Sequence, residues 1–174
     1  NMTDKGWRFR SNELKYLQET LESGFSASDS GTFNERLESA FAKSHGMKYA
    51  ITSNSGTSTL HMALHAFGVT SGDEVLIPAL APAMCGYAVW HCGAIPVYVD
   101  VKPDTFLMDP NDLSAKITSK SKAIMPVHLY GLMCDMTAII DIATEYNLYV
   151  IEDCAQCFFA KDEKGRLEGS IGHV

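Results

Sequence analysis

Apolar and polar positions alternate along the chain with two periods, one typical of helices and one of buried strands. Between residues 34 and 46, the apolar residues Leu37, Ala40 and Phe41 are separated by charged ones and followed by Gly46, which predicts an amphipathic helix. Short apolar runs then alternate with helical patterns as far as residue 153. The predicted strands are 47–53, 73–78, 95–100, 122–128 and 148–153, and the helices between them lie within 54–68, 83–93, 110–117 and 135–147.

Five near-continuous apolar strands separated by helices predict an α/β fold. We expect a three-layer structure in which a mostly parallel sheet carries helices on both faces. In such sheets, ligands bind outside the carboxyl ends of the strands. The segments that follow strand ends are SNSGT (53–57), PALAP (78–82), PVHLYG (126–131) and EDCAQ (152–156), and we expect them to lie on one rim.

The turn at Gly56 and Thr57 leads from the first predicted strand into a helix. Backbone amides at a helix N-terminus lack partners, and the helix dipole favours an anion there, so this turn could bind a phosphate. A glycine turn between strand and helix is also structurally ordinary. The spacing alone leaves both interpretations open.

Asp153 closes the last apolar run, where an unpaired carboxylate is costly and requires a cation or a hydrogen-bond donor. A protonated ring nitrogen would serve, and an alternative is that Asp153 caps a helix over residues 154–159. Glu152 points to the opposite side of the strand and is expected to meet solvent or a neighbouring helix. The spacing of Cys154 and Cys157 is that of a thiol–disulfide pair, but nothing between them favours redox chemistry and we expect them to pack.

Composition narrows the class of partner. The 174-residue chain has a net charge of −7 and a hydrophobic content of 46%, and no apolar stretch approaches the roughly 18 residues of a membrane span. Its five cysteines suit reduced thiols better than disulfides. We expect a cytoplasmic protein that binds neither nucleic acid nor membranes. No metal site is predicted, because His61 and His65 form a polar helix face without a carboxylate in a metal-binding pattern.

The order of these segments resembles the DegT/DnrJ/EryC1/StrS sugar aminotransferases, which are pyridoxal-phosphate-dependent enzymes of fold type I. The likeness covers residues 20–172 and lies in SNSGTSTLHMAL, GVTSGDEVLIPALAP, GAIPVYVDVKPDTFLMDP, KAIMPVHLYG, VIEDCAQ and EGSIG. It implies an N-terminal extension or arm over residues 1–19 and part of the large domain over residues 20–174, with the C-terminal domain absent.

The resemblance implies pyridoxal 5'-phosphate as cofactor. Gly56 and Thr57 would hold its phosphate, Asp153 would pair with the pyridine nitrogen, and Gln156 would lie near the phenolic oxygen. Pro82 stands at the ring-stacking position, where the family usually has an aromatic side chain. His128 is a weaker candidate for a place near this pocket.

The resemblance also implies a reaction, the transfer of an amino group from an amino acid such as glutamate to a nucleotide-linked keto-sugar.

Besides Pro82, the chain departs from the family pattern at Tyr87, where the family residue is usually polar, and at His173, which stands in place of an Asp after GSxG. Family members are about twice as long and carry the Schiff-base lysine beyond GSxG. Lys161 and Lys164 lie in a charged turn, so no catalytic residue is evident and we expect the chain to be inactive alone.

Three hypotheses follow for the chain. The first is the cofactor-pocket half of a sugar aminotransferase, the second a non-catalytic binding or assembly module on the same fold, and the third a thiol redox protein using Cys154 and Cys157. In this fold the strand 47–53 ordinarily sits beside strands of the second half. Because an open edge invites pairing, we expect this strand to find a new partner or to pair in a homodimer or swapped oligomer.

Overall fold

The computed structural model describes residues 12–23 and 32–174. The chain divides into two compact units, one ending at Thr52 and the other comprising Ser53–Val174. The first unit contains helices α1 (Glu13–Glu22) and α2 (Thr32–His45), joined by an ion pair of 3.1 Å between Glu19 and Arg36. The division into an arm and a large domain at residue 20 falls within α1 and stays a prediction.

The strand predicted over residues 47–53 is wrong, because this segment has no strand conformation. The side chains of Tyr49 and Ile51 are each 72% exposed. Thr52 donates to Oε1 of Glu38 from both its amide and its hydroxyl, at 2.8 Å each. The segment has the alternating apolar pattern of a strand, but residues 12–23 and 32–174 supply no neighbouring strand to pair with it.

The second unit contains a four-stranded parallel sheet in the order β2-β1-β3-β4. The strands are β1 (Glu74–Pro78), β2 (Ile95–Val99), β3 (Ser121–Ile124) and β4 (Tyr149–Val150). The last two are shorter than predicted, although their pairing continues as a parallel bridge between Val127 and Asp153. The expected α/β class and parallel sheet are confirmed.

Four helices accompany the sheet: α3 (Gly56–Ala66), α4 (Ala83–His91), α5 (Pro110–Lys116) and α6 (Met136–Tyr146). Helix α3 packs on α4, and α5 packs on α6. The N-cap side chains of three of these helices accept from backbone amides in the first turn; they are Ser55, Asp109 and Asp135. The core between helices and sheet is apolar, with Leu64, Leu76, Ile124 and Ile139 fully buried. No helix in residues 12–23 and 32–174 combines the length and apolarity needed to cross a bilayer.

The strand order reverses direction between β1 and β3. The chain leaves β1 through α4 to β2 on one side, whereas it leaves β3 through α6 to β4 on the other. Connections that diverge in this way open a crevice at the carboxyl ends of the two central strands. Helix α4 begins at this edge, and α3 runs back along the sheet before leading into β1.

Candidate functional site

Asp153 lies at the carboxyl edge, three residues beyond the end of β4, and is 7% exposed. Its backbone continues the sheet, because its amide donates to the Pro126 carbonyl at 2.9 Å and its carbonyl accepts from the His128 amide at 3.0 Å. In the side chain, Oδ1 accepts from the Ala155 amide at 3.0 Å and Oδ2 from the Cys85 thiol at 3.2 Å. The alternative of a helix cap is wrong, since residues 154–159 form turns rather than a helix.

The carboxylate of Asp153 is thus buried and anchored, but no cationic side chain pairs with it in the part of the chain that the structure describes. Each carboxylate oxygen can accept two hydrogen bonds, so the two donors leave acceptor capacity. A buried carboxylate with unused acceptor capacity is suited to pair with a cationic hydrogen-bond donor that a ligand supplies.

The N-terminus of α3 offers backbone donors. The Ser55 hydroxyl caps the Ser58 amide at 3.2 Å, and the Gly56 and Thr57 amides make no hydrogen bond within the described residues. Nothing lies within 4 Å of the position that a Cβ on Gly56 would take. The turn therefore has free backbone donors and open space beside Gly56, which is compatible with an anion at the helix N-terminus.

Pro82 is the N-cap residue of α4, and its carbonyl accepts from the Cys85 amide at 3.0 Å. It lines a cavity of about 300 Å³ between α4 and strands β1 and β2, together with Tyr87, Trp90 and Tyr98. A Cβ on Gly86 would approach the Tyr98 hydroxyl to 3.3 Å, so the glycine keeps this wall clear. The position predicted to stack on a ring thus lies on a cavity with apolar and aromatic walls.

Gln156 is exposed on the loop that follows Asp153. Its carbonyl accepts from the Gly131 amide at 2.9 Å, and its side-chain oxygen from the Tyr130 amide at 3.4 Å. Tyr130 has a φ of +56°, which is unusual for a bulky residue. The side-chain nitrogen of Gln156 makes no hydrogen bond to the described residues, so it can donate to a ligand oxygen.

The expectation that Glu152 meets solvent or a helix is wrong. Its carboxylate is buried and accepts four hydrogen bonds. Oε2 accepts from His128 Nε2 at 3.0 Å and from the Gly169 amide at 3.1 Å, and Oε1 accepts from the amides of Ile171 at 2.8 Å and Gly172. The acid therefore binds the GSIG segment, 17 to 20 residues downstream, to the sheet edge.

His128 is fully buried and has both ring nitrogens engaged. Nδ1 accepts from the Cys134 amide at 3.1 Å, so the hydrogen of the neutral ring is on Nε2 and is donated to Glu152. Burial raises the pKa of Glu152, but hydrogen bonds from His128 and from the amides of Gly172 and Ile171 outweigh burial, and the pKa lies below its usual value. We infer that His128 supports Glu152.

Glu152 could not be identified from local sequence pattern, because its partners are distant in the chain.

The ligand atoms of His128, Glu152 and Cys154 lie within 4.8 Å of one another. However, hydrogen bonds occupy both the histidine and the glutamate, and burial together with the Glu152 charge raises the pKa of the Cys154 thiol. The thiol of Cys157 also has a raised pKa, chiefly through burial, so neither cysteine has the character of a reactive thiolate.

Tyr87 and His173, which also differ from the pattern of the resembled family, have different surroundings. Tyr87 lines the cavity beside Pro82. His173 accepts from the Val150 amide through Nδ1 at 3.0 Å, and its ring contacts those of Phe67 and Tyr149 edge-on. Position 173 therefore contributes to packing beside β4.

The structure connects several of the predicted site residues directly. Pro82 and Asp153 are linked through Cys85, and Gln156 follows Asp153 on the same loop. A sequence profile of the DegT/DnrJ/EryC1/StrS aminotransferase family matches residues 8–174. The chain belongs to this family.

Among the relatives, GDP-perosamine synthase of Caulobacter vibrioides is 45% identical over 165 residues, covering 95% of the chain but 44% of the relative. A crystal structure of 3-amino-5-hydroxybenzoic acid synthase superposes with a TM-score of 0.87 at 33% identity, covering 91% of this chain and 41% of that one. The PLP-form of the putative sugar aminotransferase Spr1654 from Streptococcus pneumoniae gives 0.85 at 29% identity, with coverages of 94% and 45%. The chain spans less than half the length of these family members.

Proposed function

We propose that the chain is the N-terminal, cofactor-pocket half of a pyridoxal-phosphate-dependent aminotransferase that acts on nucleotide-linked keto-sugars. The observation that carries this proposal is the Asp153 carboxylate, which is buried at the carboxyl edge and held by two donors without a cationic partner among the described residues. The family supports the class of reaction, since its members include GDP-perosamine synthase and the putative sugar aminotransferase Spr1654.

The residues present fit the cofactor. The Gly56 and Thr57 amides would bind its phosphate, Asp153 its protonated ring nitrogen, and Gln156 its phenolic oxygen, while Pro82 would pack against the ring. When bound, the cofactor supplies an electron sink for the negative charge that develops as a proton leaves the amino-acid carbon. The Asp153 carboxylate would accept a hydrogen bond from the ring nitrogen and keep that nitrogen protonated.

We propose that the complete enzyme uses a small-molecule amino donor and a nucleotide-sugar, and works as a homodimer or swapped oligomer in the cytoplasm. We expect residues 1–174 alone to bind the cofactor without turning over substrate, because the described residues assigned to the cofactor include no lysine. Lys161 and Lys164 are exposed in the turn after residue 160.

An absorbance titration of the chain with pyridoxal phosphate tests the proposal. We expect saturable binding that Asp153→Asn weakens by about tenfold or more, because it removes a charge-assisted hydrogen bond. Asp141→Asn, on the exposed surface of α6, is the matched control and should bind like the wild type. Pyridoxal, which lacks the phosphate, should bind more weakly than the phosphorylated form.

Two results would oppose the proposal. Absence of saturable binding at high micromolar cofactor would support the non-catalytic module instead. Equal affinity of the wild type and Asp153→Asn would show that the buried carboxylate is not the ring partner. Borohydride reduction followed by peptide mass spectrometry serves as a control, since it detects cofactor that has reacted with surface lysines such as Lys161 and Lys164.

A further inference from the structure

We propose that Cys85 is a positioning residue, which orients the Asp153 carboxylate toward the ring nitrogen of the cofactor. The inference rests on the proposed function and extends it to a residue to which the sequence pattern assigns no role toward the cofactor. The Cys85 thiol donates to Oδ2 of Asp153 at 3.2 Å, in a buried hydrogen bond between residues 68 positions apart in the chain.

The backbone fixes the position of this thiol. Cys85 lies in the first turn of α4 and is 0% exposed, and its amide donates to the Pro82 carbonyl at 3.0 Å. The same helical turn therefore carries both the residue at the ring-stacking position and the donor to the carboxylate. A shift of this turn would move both groups together.

The thiol and a backbone amide hold opposite oxygens of the carboxylate. Ala155 donates to Oδ1 at 3.0 Å while Cys85 donates to Oδ2, so rotation of the carboxyl group about its Cβ–Cγ bond would break at least one hydrogen bond. Two donors occupy two of about four acceptor sites. The unoccupied lone pairs of the Asp153 carboxylate therefore point in a fixed direction, and one of them can accept a hydrogen bond from a ring N–H.

Cys85 is suited to this task because it stays protonated. Burial, followed by the nearby charge of Asp153, raises the pKa of the Cys85 thiol to about 12. At neutral pH it is a donor that adds no negative charge beside the carboxylate. A thiol is also a weak donor, so it orients Asp153 while leaving most of the charge available to a cationic ligand.

The first test measures the hydrogen bond without cofactor. The S–H stretching band of Cys85 is identified in the infrared spectrum by subtracting the spectrum of Cys85→Ala from that of the wild type. We expect this band at lower wavenumber than that of a free thiol, and we expect it to rise in Asp153→Asn. On addition of pyridoxal phosphate it should also rise, because the ring nitrogen draws charge from the carboxylate.

The second test compares cofactor affinity among variants. Loss of one such hydrogen bond costs roughly 1 kcal/mol, so Cys85→Ala should weaken pyridoxal phosphate binding by about fivefold. Cys85→Ser restores a donor and should bind within about twofold of the wild type. Cys92→Ala is the matched control at the C-cap position of the same helix, since Cys92 makes no side-chain hydrogen bond to the described residues.

The outcomes separate this inference from the proposed function. If the wild type binds cofactor, and Cys85→Ala binds equally well or Cys85→Ser fails to restore affinity, the positioning role is wrong while the proposed function stands. An unshifted S–H band in the free chain would also overturn it. If the band is shifted but the wild type does not bind the cofactor, the proposed function fails, and with it the role of Cys85 toward a ring.

Discussion

Replacing Glu152 by Gln should destabilise the second unit strongly, although the side chain keeps its shape. Four donors converge on the two oxygens of Glu152: Nε2 of His128 and the amide of Gly169 on one oxygen, and the amides of Ile171 and Gly172 on the other. A glutamine has a single oxygen. Whichever way its amide is oriented, its NH₂ group faces two of these donors.

The histidine cannot relieve this conflict by changing tautomer. Nδ1 of His128 must remain unprotonated to accept from the Cys134 amide, so Nε2 keeps its hydrogen. Two donors that point at the buried carboxylate therefore lose their acceptor, at about 1–3 kcal/mol each, and we expect a loss of roughly 2–6 kcal/mol. This is a large part of the 5–15 kcal/mol that typically stabilises a small domain.

Urea unfolding followed by far-UV circular dichroism measures the effect. Glu145→Gln, on the exposed surface of α6, is the matched control and should change the unfolding free energy by less than about 0.5 kcal/mol. If Glu152→Gln also stays within that limit, the network around Glu152 does not contribute as argued. If Glu152→Gln does not fold at all, the result agrees with the upper end of the expected range, provided that Glu145→Gln folds.

Three further predictions concern the same edge of the sheet. Because the folded-state pKa of Glu152 is lowered, its stabilising contribution should be complete above the usual Glu pKa of about 4.3 and lost as the pH falls through the lower folded value. In urea unfolding at acid pH, the unfolding free energy should therefore decline less for Glu152→Gln than for the wild type. Gly172→Ala should cost roughly 1–3 kcal/mol in thermal unfolding, because its Cβ would lie 2.8 Å from the Val150 carbonyl oxygen; a wild-type melting curve would contradict this. Cys154 and Cys157 should remain free thiols after mild oxidation, by thiol counting in denaturant, whereas loss of two thiols would support redox chemistry.

The sequence predicted the class of fold, because that class depends on local pattern. Apolar runs and helical periods in the segment 73–147 placed β1, β2 and helices α4 to α6 close to their observed bounds. Because ligands bind at the carboxyl ends of parallel strands, the same pattern predicted a ligand site at Asp153, Gln156 and the turn at Gly56. Asp153 extends the parallel pairing beyond β4 and Gly56 begins α3, although no strand precedes Gly56 in the described residues. The roles of these residues toward a cofactor stay predictions.

The sequence could not decide which apolar run becomes a strand or which acid is buried. Residues 47–53 have an alternating pattern, but a strand also needs a neighbour to accept its backbone hydrogen bonds, and none is present among the described residues.

Glu152 and Asp153 are adjacent and chemically similar, yet their environments differ because their partners come from distant segments. The amides of Gly169, Ile171 and Gly172 and the ring of His128 satisfy Glu152. Among the described residues, Asp153 has only the Ala155 amide and the thiol of Cys85 as side-chain partners. Sequence determines that two carboxylates follow the strand. Only the tertiary structure, by bringing donors from 17 to 68 residues away, decides that one of them is fully satisfied and the other keeps capacity for a ligand.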